Sequence, residues 1–137
     1  MNFKEFLGSF REFLESSPAE ELREDSRYVF LSDLHMGDGS DRDDLASNGR
    51  LILDALARYL EGGYTLVLGG DIEELQKFSL KIIKRTWSDI YEIFDAFAAR
   101  GALRKIVGNH DLALLRHEDH PYPLIHGLRL IRDGNTL

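Results

Sequence analysis

The chain reads as an α/β protein: a parallel βαβαβ sheet flanked by helices, with the start of a second, antiparallel element at its end. Three observations predict this. Short apolar runs at residues 28–31, 64–68 and 103–107 each close on a glycine or a polar turn. Helix-periodic segments at residues 51–60 and 80–99 separate them, and strand–helix alternation implies right-handed crossovers and a parallel sheet. Finally, Asp133-Gly134 between apolar stretches is a hairpin signal.

Taken in order, Phe3, Phe6, Leu7, Phe10, Phe13 and Leu14 recur at helical spacing, so residues 2–15 form an amphipathic helix packed against the domain. Its polar face mixes acids and bases, which argues against a membrane-surface helix. Ser16-Ser17-Pro18 ends it, and Pro18 is placed to open a short helical turn through Leu22. Tyr28, Val29, Phe30 and Leu31 are nearly continuous in apolar character, as in a strand buried on both faces. The next helix carries Leu51, Ile52, Leu53, Leu56, Tyr59 and Leu60 and stops at Gly62-Gly63. Residues 64–68 give the second buried strand. Ile83, Trp87, Ile90, Tyr91, Phe94, Phe97 and Ala98 predict one long helix over 80–99, stopped at Gly101. The third strand follows at 103–107. Leu112 to Leu115 suits one helical turn, after which residues 124–131 and Thr136-Leu137 frame the hairpin. Residues 1–25 thus form an N-terminal helix and linker, and 26–137 the main body.

With 137 residues, 43% of them hydrophobic and 30% charged, the chain fits one domain with a real core. It has no cysteine, which excludes disulfides and thiolate metal sites, so any metal must take oxygen and imidazole ligands. The net charge of −7 argues against tight non-specific nucleic-acid binding, although bound dications would offset part of it. No signal peptide or membrane span is legible, so a cytoplasmic location is expected.

Metal-capable residues follow each strand at once: Asp33 and His35 after the first, Asp71 after the second, and Asn109, His110 and Asp111 after the third. Ligand crevices of open α/β sheets lie at the carboxyl ends of the strands, so the three clusters are expected to converge. Asp33 and His35 are two apart on a segment read as extended, which would send both side chains to one side. Asp71 follows a glycine that lets the backbone turn, and its two oxygens can bridge two ions. Asn109 offers a neutral amide oxygen. His110 is either a ligand or a free acid, with Asp111 placed to fix its tautomer. Singly, each motif has a plain structural reading: a chance Asp-x-His, a Gly-Asp turn, an Asn or Asp helix cap. Three in sequence, each at a strand end, favour a site.

Ser-Asp-Leu-His, Gly-Gly-Asp-Ile-Glu-Glu and Gly-Asn-His-Asp resemble the first three signature motifs of the calcineurin-like metallophosphoesterases, over roughly residues 27–132. The long helix between the second and third motifs is similar to that of the UDP-2,3-diacylglucosamine hydrolase-like branch. The resemblance implies a metallophosphoesterase-type α/β sandwich and two divalent ions, manganese first, with iron or zinc also suited. Asp33 and His35 would hold one ion, Asp71 would bridge, and Asn109 would hold the second. His110 would act on the substrate phosphate as a catalytic acid, with Asp111 supporting it. The reaction would be attack by a metal-bound hydroxide on a phosphomonoester, phosphodiester or pyrophosphate of a small molecule. The family also carries a lone histidine and a Gly-His-x-His motif, neither of which is present here, so residues 26–137 are expected to be the N-terminal part of such a catalytic domain, with both metal sites incomplete and turnover not expected of these residues alone. The alternative is a metallophosphoesterase-like binding or scaffold domain without turnover.

The remaining polar clusters carry blander expectations. His117 and His120, with acids between them, read as a solvated loop, and His126 as a core or edge-strand histidine. Asp38, Asp41, Asp43 and Asp44 fail the EF-hand spacing and read as a solvated loop with a helix cap. Glu73 and Glu74 fall where the family often has a further acid or an aromatic, which leaves room for a supporting role for Glu74. Lys81, Lys84 and Arg85 share a helix face that could meet an anionic substrate, solvation being the commoner outcome. An incomplete sheet with open edges favours self-association.

Overall fold

The structure is a computed structural model that describes residues 2–117 and 120–136, so Met1, Glu118, Asp119 and Leu137 lie outside the described residues. In chain order the elements are α1 (Phe3–Ser16), β1 (Ala19–Glu21), β2 (Tyr28–Leu31), α2 (Gly49–Glu61), β3 (Thr65–Gly69), α3 (Leu80–Thr86), α4 (Ser88–Ala99), β4 (Leu103–Ile106), a 3-10 turn (Leu112–Arg116), β5 (Leu124–Ile125), β6 (Arg129–Arg132) and β7 (Asn135–Thr136). They fall into two compact units, residues 27–124 and residues 1–26 with 125–137.

The larger unit is a mixed α/β fold around a parallel sheet of order β2-β3-β4-β5. Tyr28 to Leu31 pair with Thr65 to Leu68, and Leu66 to Gly69 pair with Leu103 to Ile106, both in parallel. The central strand β3 buries Leu66, Val67 and Leu68 completely. At the sheet edge, β2 is not buried on both faces as its apolar run suggested: Phe30 is 57% exposed. Leu56 of α2, Ile83 of α3 and Ile90, Phe94 and Phe97 of α4 close the core over β3, together with Met36 and Ile72 from the loops. Burying such side chains stabilises the fold by about 1.5–3 kcal/mol each.

The expected single helix over 80–99 is broken at Trp87, whose φ of −108° and ψ of 35° separate α3 from α4. Its indole N–H donates to Asp43 Oδ2 at 2.9 Å, and its ring covers Gly49, where any Cβ would run into it. Helical hydrogen bonds from the Trp87 N–H to Ile83 and from the Tyr91 N–H to Trp87 persist across the kink. Periodicity therefore reads through a break that a distant carboxylate imposes. The same contact corrects the solvated-loop reading of Asp43, which is buried and also accepts the Gly39 and Leu45 N–H groups. Asn48, at the α2 start, makes no side-chain cap.

In the smaller unit, Asn2 and Glu5 form a capping box on α1. The apolar face of α1, expected to be packed, leaves Phe3, Phe6, Leu7, Phe10 and Phe13 exposed. Pro18 does not open a helical turn. Residues Ala19 to Glu21 instead pair in parallel with Arg129 to Ile131. The Pro18 carbonyl accepts the Arg129 N–H at 2.8 Å, and proline at a strand start removes no ladder bond. The β6–β7 hairpin turns on Asp133 and Gly134, both at positive φ as a two-residue turn requires. His126 is neither core nor ladder: it is exposed in a bend after β5. Among the described residues, no helix is long and apolar enough to cross a membrane.

Two buried polar groups of the larger unit were not foreseen. Glu73 and Lys105 are fully buried 2.6 Å apart, and the Tyr91 hydroxyl donates to the other Glu73 oxygen at 2.7 Å. His120, expected in solvent, is half-buried, with Nδ1 2.9 Å from the Tyr122 carbonyl and Nε2 buried without a partner among the described residues.

Removing one member of a buried pair strands the other charge, so Lys105→Met should cost about 3–5 kcal/mol of unfolding free energy in urea titrations. Adding Glu73→Gln, which keeps the Tyr91 bond, should recover most of that loss. Burial holds His120 below the ordinary histidine value of 6.5. Its contribution is therefore present above that value and is lost as pH falls towards its folded pKa. Stability measured from pH 7 downward should fall more steeply in the native chain than in His120→Asn.

Candidate metal centre

The loops that follow β2, β3 and β4 are tied together through the backbone. The N–H groups of Asp33, His35 and Met36 donate to the carbonyls of Gly70, Asp71 and Ile72, and the Glu74 N–H returns to Met36. Leu34 and Met36 are buried between and beyond the polar positions. Asp33 and His35 do reach one site, but not by strand alternation: their φ values are 56° and 47°, and that of Asp71 is 54°. Asp and His are among the side chains that tolerate this left-handed region, at a cost of about 1–2 kcal/mol per residue.

Glycines set the spacing of the second and third loops. Gly70, at φ 97°, lies against Gly108, and a Cβ on Gly108 would collide with the Asp71 carboxylate and its N–H. The Asp71 Oδ1 accepts the His110 N–H at 2.8 Å. Asp111 joins the same loops from beneath. It is fully buried and accepts the Ile72 N–H at 3.0 Å and the Gly108 N–H at 2.6 Å. This corrects its expected role, since Asp111 holds backbone rather than the His110 ring.

The ring is held by Glu74. One oxygen, Oε2, accepts from Nδ1 of His110 at 2.8 Å and from Nδ1 of His35 at 3.1 Å, and the two rings meet edge to face at 4.5 Å. The Lys77 ammonium lies 3.7 Å from the same oxygen. Burial pushes the Glu74 carboxyl up, but the bonds from His110 and His35 outweigh it and hold the group below the usual carboxylate range. In turn, the hydrogen bond to Glu74 raises His110 above the ordinary histidine value.

With Nδ1 engaged, His35 keeps Nε2 for a ligand, and that atom lies 3.9 Å from Asp33 Oδ1. Donor atoms of Asp33, His35 and Asp71 all lie within 4.8 Å of one another. Two donors at about 2.1 Å from one ion are separated by about 3–4.2 Å, so the triad is a donor set that one divalent ion could draw together. A carboxylate behind a ligating imidazole is the usual means of fixing its tautomer. His35, Glu74 and His110 form a second close group, but there the donors already bond one another. Asn109 is exposed. Its carbonyl accepts from Gln76 Nε2 at 3.3 Å, while its side-chain amide has no hydrogen-bond partner among the described residues, leaving that oxygen available.

Glu74 was the residue most underweighted by sequence reasoning. The available signal was its place three residues after Asp71, on a turn whose carbonyl receives the N–H groups of Lys77 and Phe78. Glu74→Gln should weaken binding of a divalent ion about 10–100-fold by calorimetric titration while leaving the unfolding transition cooperative. A variant that bound metal as the native chain does would show that Glu74 does not orient the ligand.

No family model, curated protein or solved structure matches the chain.

Proposed function

We propose that the chain carries the metal-binding and acid groups of a metal-dependent phosphoesterase acting on a phosphorylated small molecule, within a metallophosphoesterase-type sandwich. The observation that carries this reading is the single Glu74 oxygen shared by two imidazoles. It leaves His35 Nε2 open beside Asp33 and Asp71, which supports His35 as a ligand, and it holds the His110 ring next to them.

Asp33 and His35 would hold one divalent ion, Asp71 would bridge to a second, and the Asn109 amide oxygen would serve the second; manganese suits this nitrogen and oxygen set, as do iron and zinc. When bound, such ions supply Lewis acidity and neutralise charge on a phosphoryl group. The chain's own groups do the rest. Glu74 holds Nδ1–H of His110, so the proton on Nε2 is the one free to be given to a departing oxygen. The same hydrogen bond to Glu74 raises the His110 pKa above the ordinary histidine value, which favours the protonated form. Asp111 keeps the Gly108 and Ile72 backbone fixed, and with it the spacing of Asp71 and His110.

Any hydrolysis of para-nitrophenyl phosphate or its bis-ester by the manganese-loaded protein should be lost on chelation and regained when manganese returns. Asp71→Asn should lose metal and activity together. His110→Asn should retain metal and lose about 10²–10⁴-fold in rate, the usual size of an acid–base contribution. Unchanged turnover in His110→Asn would overturn the assignment, and bound metal without any hydrolysis would favour the scaffold alternative.

A further inference from the structure

Glu73 and Glu74 are the same residue type side by side, yet their carboxylates have opposite destinations. Glu73 is buried against the Lys105 ammonium and the Tyr91 hydroxyl, at 2.6 and 2.7 Å. Glu74 faces the Nδ1 atoms of His35 and His110. The backbone sets this alternation. Met36 bridges Glu73 in parallel: its N–H donates to the Ile72 carbonyl at 2.8 Å, and its carbonyl accepts the Glu74 N–H at 3.0 Å. Bridged residues share a face and their neighbours take the other. Met36 and Glu73 therefore enter the core, while His35 and Glu74 turn to the candidate metal centre.

A slip of one residue in such a pairing sends every side chain to the opposite face. An alternation of apolar and polar residues ordinarily forbids the slip, but Glu-Glu offers the same side chain in either register. What tells the two positions apart lies across the core. Lys105 is the buried residue of β4, where Leu103, Arg104 and Ile106 are only partly covered, and its side chain is spent on Glu73. Tyr91 of α4 makes the second bond. Burial, together with the Glu73 charge, pushes the Tyr91 hydroxyl far above the ordinary tyrosine value, so it remains a donor. Stability alone does not call for this arrangement. A buried ion pair is often no better than apolar residues of similar volume, and its best-attested use is to fix register.

We infer that Lys105 is a positioning residue, a register lock that draws Glu73 inward and so assigns Glu74 to the two imidazoles. The inference rests on the metal-centre reading only for the name of ligand given to His35. The lock itself is measured on the metal-free chain without turnover, so failure of that reading leaves the measurement unaffected.

The test reads imidazole tautomers from ¹H–¹⁵N correlation spectra of the metal-free chain, at a pH where both rings are neutral. In the native chain His35 and His110 should carry their proton on Nδ1, the atom Glu74 holds. Glu74→Leu should lose that preference, because Lys105 keeps Glu73 inward. Glu74→Leu/Lys105→Met should regain it: with no cation inside, the pairing slips by one, the apolar side chain at position 74 enters the core, and Glu73 takes the imidazoles. A purely structural role for Lys105 predicts the reverse, since a second lost contact would disturb the site further. Glu73→Gln/Lys105→Met, in which Glu74 is the only carboxylate of the two, should keep the native tautomers. The lock is overturned if Glu74→Leu/Lys105→Met is unfolded or keeps the Glu74→Leu spectrum, or if Glu73→Gln/Lys105→Met loses the native tautomers.

Discussion

The arrangement of the candidate metal centre depends on the buried carboxylate of Asp111. Its two oxygens accept N–H groups from different loops, Ile72 after β3 and Gly108 after β4. Buried donors must be satisfied, and here one side chain satisfies two that belong to separate crossovers. The loops can then approach until Gly70 touches Gly108, the distance at which the Asp71 carboxylate reaches the His110 N–H. The order of candidate donor groups around the site follows from that closure.

Electrostatics divides the acidic groups of this region by environment. Glu73 and Glu74 are neighbours in sequence and both buried, yet they answer to different partners. Glu73 turns to Lys105 and Tyr91 within the core, a pairing that fixes the loop. Glu74 turns to two imidazoles at the surface of the site. The Met36 bridge to Glu73 separates these roles by anchoring the backbone between them. A carboxylate aimed inward thus supports one aimed outward.

Much of this was legible in the sequence, because strand–helix alternation and glycine stops are local signals. The parallel order of β2, β3 and β4 and the grouping of Asp33, His35 and Asp71 follow from them. What escaped was tertiary. The break at Trp87 needs Asp43, 44 residues away, and Ala19 to Glu21 became a strand only because β6 offered an edge. The roles of Asp111 and Glu74 were exchanged for a similar reason. Adjacency in Asn-His-Asp suggested a partner for the ring, whereas the actual partner lies 36 residues earlier in the chain. Asp33 and His35 came together as expected but through left-handed backbone, which spacing alone cannot distinguish from an extended segment.

Those left-handed positions set a conflict between persistence and purpose. At Asp33, His35 and Asp71 the backbone alone would favour glycine, which takes such φ values without steric cost. Drift towards a more stable fold would therefore erase these three candidate ligand side chains first. A lineage that kept the fold without the proposed metal chemistry should carry glycines there, which gives a mark for telling copies that hold the candidate site from copies that have lost it.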